Sequence, residues 1–138
     1  MGIFTSVEVD IIIHATEDYK KILNILHKLF GIEEEKFILN KLEGHYGNEI
    51  IVAKIRIDYE VDKLAYKVLS KIEPYQLKKI LDRLDSYIEK NYLYLRVNKQ
   101  ELFRNKVVLS DEEAIRFKFK FKDIRSLREW LEERDDIY

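Results

Sequence analysis

The most regular hydrophobic pattern in the chain covers residues 115–122, which read Ile-Arg-Phe-Lys-Phe-Lys-Phe-Lys. Successive side chains of a β-strand point to opposite faces of a sheet, so only a strand gives each set its own surface. The pattern predicts a strand whose apolar side chains face a core, with cations about 7 Å apart on the other face. These cations are Arg116, Lys118, Lys120 and Lys122. Because a row of like charges repels itself, it indicates an anionic partner.

Other strands follow from the same period of two. They are predicted over residues 7–14, 36–42, 50–57 and 92–98, with a short one around 106–109. In the third of these, Lys54 and Arg56 face away from the core. In the fourth, Tyr92, Tyr94 and Arg96 do so.

Helical spacing of apolar residues predicts four helices between these strands. The first is capped by Thr16 and stopped by Gly31, and the second covers residues 61–72. The third starts at Pro74 and continues to about Lys90. The last is capped by Asp123, with Ile124, Leu127 and Leu131 on its buried side.

Hairpin-like connections outnumber the helical crossovers that a parallel sheet needs, so the fold class is α+β with a mostly antiparallel sheet. About four helices would pack largely on one face. The other face would then expose cations and tyrosines, a combination typical of sheets that bind RNA. Residues 1–138 are expected to form a single domain, since no linker, repeat or low-complexity tract interrupts them.

Charge is segregated along the chain although the net charge is only −1. Residues 1–62 carry 7 basic and 12 acidic side chains, and residues 63–122 carry 15 basic and 8 acidic ones. The net charges of these segments are therefore −5 and +7, while residues 123–138 add −3. A basic middle segment favours a polyanionic partner more than the net charge suggests.

Composition narrows the class of protein further. There is no cysteine, which excludes disulfides and thiolate metal sites and fits a reducing cytosol. No signal peptide or membrane span is expected, and the cytoplasm is the expected location. Abundant Lys, Glu, Arg and Ile with a single Met point toward a thermophile.

Three segments carry a resemblance to a known family: residues 14–18 (His-Ala-Thr-Glu-Asp), residues 43–48 (Glu-Gly-His-Tyr-Gly-Asn) and residues 92–100. In this order and spacing they resemble the archaeal family described as predicted exosome-associated RNA-binding proteins, whose fold is similar to ribosomal protein five of the large subunit. The resemblance extends roughly over residues 7–122. It implies an RNA-binding module without established catalysis, with exosome or ribosomal components as candidate partners. Glu49 and Asn98 depart from the expected Gly-Asn-Pro and Asp-Lys-Gln motifs.

Two loops are candidate RNA contacts. In the turn at 43–48, glycines can expose backbone amides to a phosphate, with His45 and Asn48 adding side-chain bonds. The alternative is a tight turn that needs glycine for its geometry. Near the end of the 92–98 strand, Lys99, Gln100 and Arg104 suggest a phosphate clamp, unless they only protect a strand end.

The cationic strand also has an alternative interpretation. Glu8 and Asp10 point away from the core on the first strand, and they could pair with its cations if the two strands are neighbours. Two acids cannot neutralise four cations together with Lys54 and Arg56, so RNA contact remains the favoured interpretation.

The leading hypothesis is a non-catalytic RNA-binding domain that needs no cofactor and no metal. A protein-interaction subunit that docks through Trp130 on the last helix is one alternative. A metal-free ribonuclease using His14 and His45 as acid and base is another. A metal site at Glu17 or Glu43 lacks the ligand spacing of a known motif. The RNA target and the oligomeric state do not follow from the sequence.

Overall fold

The computed structural model describes residues 2–43 and 47–137, with side chains described as far as residue 134. Its strands are β1 (Phe4–His14), β2 (Ile38–Glu43), β3 (Glu49–Ile57), β4 (Ile88–Glu89), β5 (Tyr92–Asn98) and β6 (Ala114–Phe121). Its helices are α1 (Tyr19–Phe30), α2 (Val61–Leu69), α3 (Pro74–Asp82), α4 (Leu84–Tyr87), α5 (Lys99–Leu102) and α6 (Ile124–Ile137). A short 3-10 helix spans Glu34–Lys36.

All the described strands join one sheet in the order β2-β3-β1-β6-β5-β4. Every neighbouring pair is antiparallel. The long β1 lies inside the sheet, where Val7 is opposite Ile57 of β3 and Phe119 of β6. The predicted α+β class with an antiparallel sheet is therefore confirmed.

Alternation along the strands creates one apolar face and one polar face, as the sequence pattern predicts. The odd-numbered residues of β5, β6 and, from Val7 onward, β1 are buried in a core shared with the helices, while a register shift at the start of β1 buries Phe4 and exposes Thr5. Phe30 of α1, for example, meets Phe117 of β6 edge to face, with ring centroids 5.9 Å apart. The substantial helices pack on this face, which leaves the even-numbered residues on the opposite side.

The start of α1 differs from the prediction that Thr16 caps it. Asp18 is the cap, because its carboxylate accepts hydrogen bonds from the amides of Lys20 and Lys21 at 3.1 and 3.4 Å. Residues 14–17 instead form a turn in which the Glu17 amide donates to the His14 carbonyl. Gly31 does end the helix, in the left-handed conformation at φ 73°.

Two further predictions about elements are wrong. The helix that begins at Pro74 ends at Asp82 rather than near Lys90, because Arg83 leaves helical geometry and Ile88 pairs with Leu93 in a β-hairpin. The predicted strand around 106–109 is reduced to two isolated bridges. Its residues pair with different partners, Val107 with Ile72 and Leu109 with Val97, so no continuous ladder forms.

The last helix is capped by Asp123, whose carboxylate accepts a hydrogen bond from the Ser126 amide at 2.8 Å. Leu127 and Leu131 are fully buried as predicted, but Ile124 is 46% exposed. The first turn of α6 therefore lies outside the packed part of the helix. No helix in the described part of the chain is long and apolar enough to cross a membrane.

Candidate nucleic-acid interface

The face of the sheet opposite the helices, called the open face below, is built from the even-numbered residues of the long strands. Its polar and aromatic members are Glu8, Asp10, His14, Lys54, Arg56, Tyr92, Tyr94, Arg96, Arg116, Lys118 and Lys120. The sheet thus brings Lys54 and Arg56 together with the tyrosines and cations of β5 and β6, although these segments are far apart in the sequence.

Two carboxylates on the central strand β1 lie between cations from both neighbouring strands. Glu8 is opposite Arg56 on β3 and Lys118 on β6, and Asp10 is opposite Lys54 and Arg116. The Nζ of Lys118 lies 3.5 Å from Oε2 of Glu8, and Arg116 forms an ion pair with Asp10. The anticipated pairing of the cationic strand with β1 is therefore present at two of its positions.

Positive charge remains after this pairing. The cations Lys54, Arg56, Arg96, Arg116, Lys118 and Lys120 outnumber the carboxylates of Glu8, Asp10 and Glu89, the last on β4 opposite Tyr92, which leaves a balance of +3 on the strands of the open face. Among the described residues, no ion pair forms at Lys54, Arg56, Arg96 or Lys120. Lys122 is also exposed, one residue past the end of β6. The excess charge raises the local positive potential of this surface.

The tyrosines of β5 lie among these cations. The rings of Tyr92 and Tyr94 are 6.3 Å apart, and Nζ of Lys118 lies 4.3 Å from the centroid of Tyr92. Arg116 and Lys118 each approach the Tyr94 ring to 5.8 Å. Cation–π contacts of this kind hold the cations over the aromatic surface.

The environment of Lys118 keeps its ammonium protonated. Loss of surrounding water alone would lower the pKa of Lys118, but Tyr94 and the carboxylate of Glu8 outweigh it and raise the pKa above its ordinary value. Lys118 therefore contributes a full positive charge at neutral pH.

The positive part of the open face is confined to one half. Toward the other end of β1, Ile12 pairs with Val52 of β3, and its side chain is 54% exposed. On the edge strand β2, Leu42 adds exposed apolar surface there, at 54%, while Ile38, at 67%, lies opposite Lys54 beside the positive part. We call the part formed by residues 6–10, 54–56, 92–96 and 116–120 the cationic half.

Lys99 does not lie where the predicted phosphate clamp requires it. Its side chain is only 3% exposed, and Nζ lies 2.9 Å from Oε1 of Glu17 and 3.6 Å from Oε2 of Glu113. The same ammonium donates to the Ile12 carbonyl at 2.9 Å. The buried ammonium of Lys99 thus finds its hydrogen-bond partners within the protein and connects α5 to the turn after β1. Lys99 is therefore not available to contact RNA.

The carboxylate of Glu17 is the main partner of Lys99. Partial burial alone would raise the pKa of Glu17, but hydrogen bonds from the His14 amide and the Lys99 ammonium outweigh it and lower the pKa. Glu17 is therefore ionised at neutral pH and connects the turn after β1 to α5. No group of three or more His, Asp or Glu side chains placed to hold a metal occurs among the described residues.

The remaining candidate contacts lie outside the cationic half. Gln100 belongs to the short helix α5, and Arg104 follows it with Nη1 3.4 Å from Oε1 of Glu101. Asn48 is exposed just before β3, next to Gly47 at φ 75°. His45 lies outside the described residues, so the predicted phosphate-binding turn and the convergence of His14 with His45 stay predictions.

Trp130 is not available for the predicted docking of α6 on a partner. Its side chain is 8% exposed and meets Phe4 at right angles, with ring centroids 5.1 Å apart. The guanidinium of Arg134 covers the ring at 4.5 Å. The alternative function, a protein-interaction subunit that docks through Trp130, is therefore not supported by the position of Trp130.

Sequence reasoning missed two features of this surface. The exposed Ile12 could have been noticed, because it breaks the polar alternation of the first strand. The contribution of α3 to a cleft beside β5, through Lys79 and Gln76, had no signal in the sequence. Residues that meet only through the tertiary packing of a helix against a sheet edge leave no local pattern.

Comparison with known proteins places this geometry in a family. A family model described as RNA binding matches residues 6–121. A Pyrococcus abyssi protein named as an RNA-binding protein is 29% identical over 139 residues, covering 89% of this chain and 90% of that protein.

Solved structures show the same fold. A Sulfolobus solfataricus protein of the DUF54 family superposes with a TM-score of 0.81 at 29% identity, covering 96% of this chain and 98% of that one. An Archaeoglobus fulgidus member of DUF54 gives a TM-score of 0.71 at 26% identity, covering 98% and 99% of the two chains. Since the RNA-binding family model spans most of the sequence, the chain belongs to this family.

Proposed function

We propose that the protein is a non-catalytic RNA-binding module that binds the sugar–phosphate backbone with the cationic half of its open face. The observation that carries the proposal is the excess of six cations over three carboxylates on one exposed sheet surface, with two tyrosines among them. Proteins bind nucleic acid largely by releasing counterions from phosphates, which requires such a concentration of cations. Membership of an RNA-binding family supports RNA as the polyanion.

Different cations on this surface would play different parts. Lys54, Arg56, Arg96 and Lys120 have no carboxylate partner among the described residues, so they are the best phosphate ligands. Arg116 and Lys118 are held by Asp10 and Glu8, and they would give weaker contacts that fix the geometry of the surface. Lys122 would extend the contact past the end of β6.

Tyr92 and Tyr94 would supply stacking surfaces for unpaired bases. Each stacked base contributes about 1–3 kcal/mol in proteins that bind single strands. Because Lys118 already lies over Tyr92, a base would have to use the free side of a ring or displace the ammonium. Since backbone phosphates and ring faces carry little sequence information, binding would have limited sequence preference.

Asn48, Gln100 and Arg104 lie outside the cationic half and could contact RNA only as peripheral ligands. His45 keeps its predicted role as a phosphate ligand. Participation in cytoplasmic RNA processing with exosome or ribosomal components, and the likeness to ribosomal protein five, are also part of the proposal. Copurification of exosome or ribosomal components with the protein from an archaeal lysate, with and without ribonuclease, would test its participation in RNA processing.

The direct test of RNA binding compares two triple variants by fluorescence anisotropy with a 20-nucleotide RNA. One variant carries Lys54→Ala, Arg56→Ala and Lys120→Ala on the cationic half. The matched control carries Lys21→Ala, Lys28→Ala and Lys63→Ala, which removes the same number of exposed cations from the helical side. We expect the first to lose at least tenfold in affinity and the second to bind like the parent protein. Equal losses would contradict the proposed surface, and cleavage of the RNA by purified protein would contradict the non-catalytic role.

A further inference from the structure

A cleft of about 590 Å³ opens at the β5 side of the cationic half. Tyr94 and Arg96 of β5 and Arg116 of β6 line it on the sheet side. Lys79 and Gln76 of α3 line the opposite side, and Asp111 lies in the segment between α5 and β6. The cleft therefore joins the open face to a helix that otherwise packs on the other side of the sheet.

Hydrogen bonds hold the walls of the cleft in place. The Leu109 amide donates to Oε1 of Gln76 at 3.2 Å, and the Ser110 amide donates to the Arg96 carbonyl at 3.0 Å. The segment before β6 is thus fixed to α3 on one side and to β5 on the other. A preformed cavity of this kind binds a small group without the loss of conformational entropy that ordering its walls would require.

The lining matches the parts of one nucleotide. Lys79 and Arg96 have no carboxylate partner among the described residues, so both can bind a phosphate. Tyr94 offers an aromatic ring, and Asp111 and Gln76 can form hydrogen bonds with the edge of a base. The volume lies within the range of pockets that bind small molecules, which is about 300–1,000 Å³.

The carboxylates of Asp111 and Glu89 limit what the cleft can hold. They add two negative charges to a lining with three cations, Lys79, Arg96 and Arg116, of which Arg116 is already paired with Asp10. A chain of several phosphates would be repelled by these acids. One phosphate with one base fits the charge of the lining better.

We propose that this cleft receives one unpaired nucleotide of a bound RNA, with its base against Tyr94 and its phosphate between Lys79 and Arg96. The proposal rests on the proposed RNA-binding function and adds a preference for RNA that contains an unstacked base. Such a base can leave a bulge or a strand end at a small energetic cost, whereas a paired base cannot.

The test uses two RNA duplexes that differ only in one unpaired nucleotide at the centre of one strand. Fluorescence anisotropy at fixed salt gives the ratio of their affinities for the parent protein and for the variants Lys79→Ala and Tyr94→Leu. Lys78→Ala is the matched control, because Lys78 is the exposed neighbour on α3 that does not line the cleft. Thermal unfolding checks that each variant is folded.

We expect the parent protein and Lys78→Ala to prefer the bulged duplex about tenfold, the size of one stacking contact. Lys79→Ala should lose this preference while still binding the paired duplex, and Tyr94→Leu should lose the preference as well. An equal affinity of the parent protein for the two duplexes would overturn the cleft proposal alone. A preference that survives both cleft variants would overturn it too. If the parent protein binds neither duplex nor single-stranded RNA, the proposed function itself fails.

Discussion

The ammonium of Lys99 lies 2.9 Å from the carboxylate of Glu17, which joins two positions 82 residues apart in the sequence. Glu17 in turn accepts a hydrogen bond from the His14 amide at 3.0 Å. This pair closes the turn between β1 and α1 against the start of α5. It explains why Lys99, which the sequence suggested as part of a phosphate clamp, is buried and stabilises the fold.

Replacing Lys99 with alanine should destabilise the protein and leave its RNA contacts intact. Removing one partner of a buried ion pair leaves the other charge uncompensated, and we expect a loss of about 3 kcal/mol in the free energy of unfolding. Urea denaturation measures it, with Lys106→Ala at a nearby exposed position as the control. A stable variant with weakened RNA binding would instead restore Lys99 to the interface.

The same pair predicts how stability depends on pH. The pKa of Glu17 is lowered in the fold, so the folded protein binds its proton less readily than the unfolded chain does. Its contribution is fully present above the unfolded pKa of about 4.5 and is lost as the pH falls through the lower folded value.

Glu17→Gln should therefore be less stable than the parent protein at pH 7, with the difference shrinking toward pH 3. Urea midpoints at several pH values test this expectation. A difference that stays constant over the range would mean that the ionisation of Glu17 does not stabilise the fold.

Trp130 should behave as a core residue. Its ring is buried against Phe4 and Arg134, so Trp130→Ala should cost about 3–5 kcal/mol in the free energy of unfolding. Trp130→Phe keeps most of the volume and should cost much less. A Trp130→Ala protein as stable as the parent would indicate a surface residue and revive docking through α6.

The sequence was sufficient to predict most of the sheet. Alternation in β1, β3, β5 and β6, strict only in β6, predicts both the strands and which residues share the open face, since the period of two allows only one assignment of faces. The predictions for the segments between strands failed where two local signals compete. Thr16 and Asp18 are both good caps, and only the geometry of the turn after His14 decides between them.

The candidate site was predicted in part. The alternation predicts that Lys54, Arg56 and the cations of β6 face away from the core, but which strands are neighbours comes from the structure. The burial of Lys99 could not be predicted, because it depends on carboxylates from Glu17 and Glu113 that the sequence does not place nearby. The contribution of Lys79 depends on how α3 packs beside β5, which is likewise a property of the tertiary structure.

The most direct test of the central claim is the salt dependence of RNA affinity. For each phosphate contact that is lost, the magnitude of the slope of log K against log salt concentration should decrease by about 0.7 on a single strand. The triple variant Lys54→Ala, Arg56→Ala and Lys120→Ala should therefore show a slope smaller by about 2 on single-stranded RNA. The control with Lys21, Lys28 and Lys63 replaced by alanine should keep the parent slope. Identical slopes for the parent protein and the cationic-half variant would contradict the account.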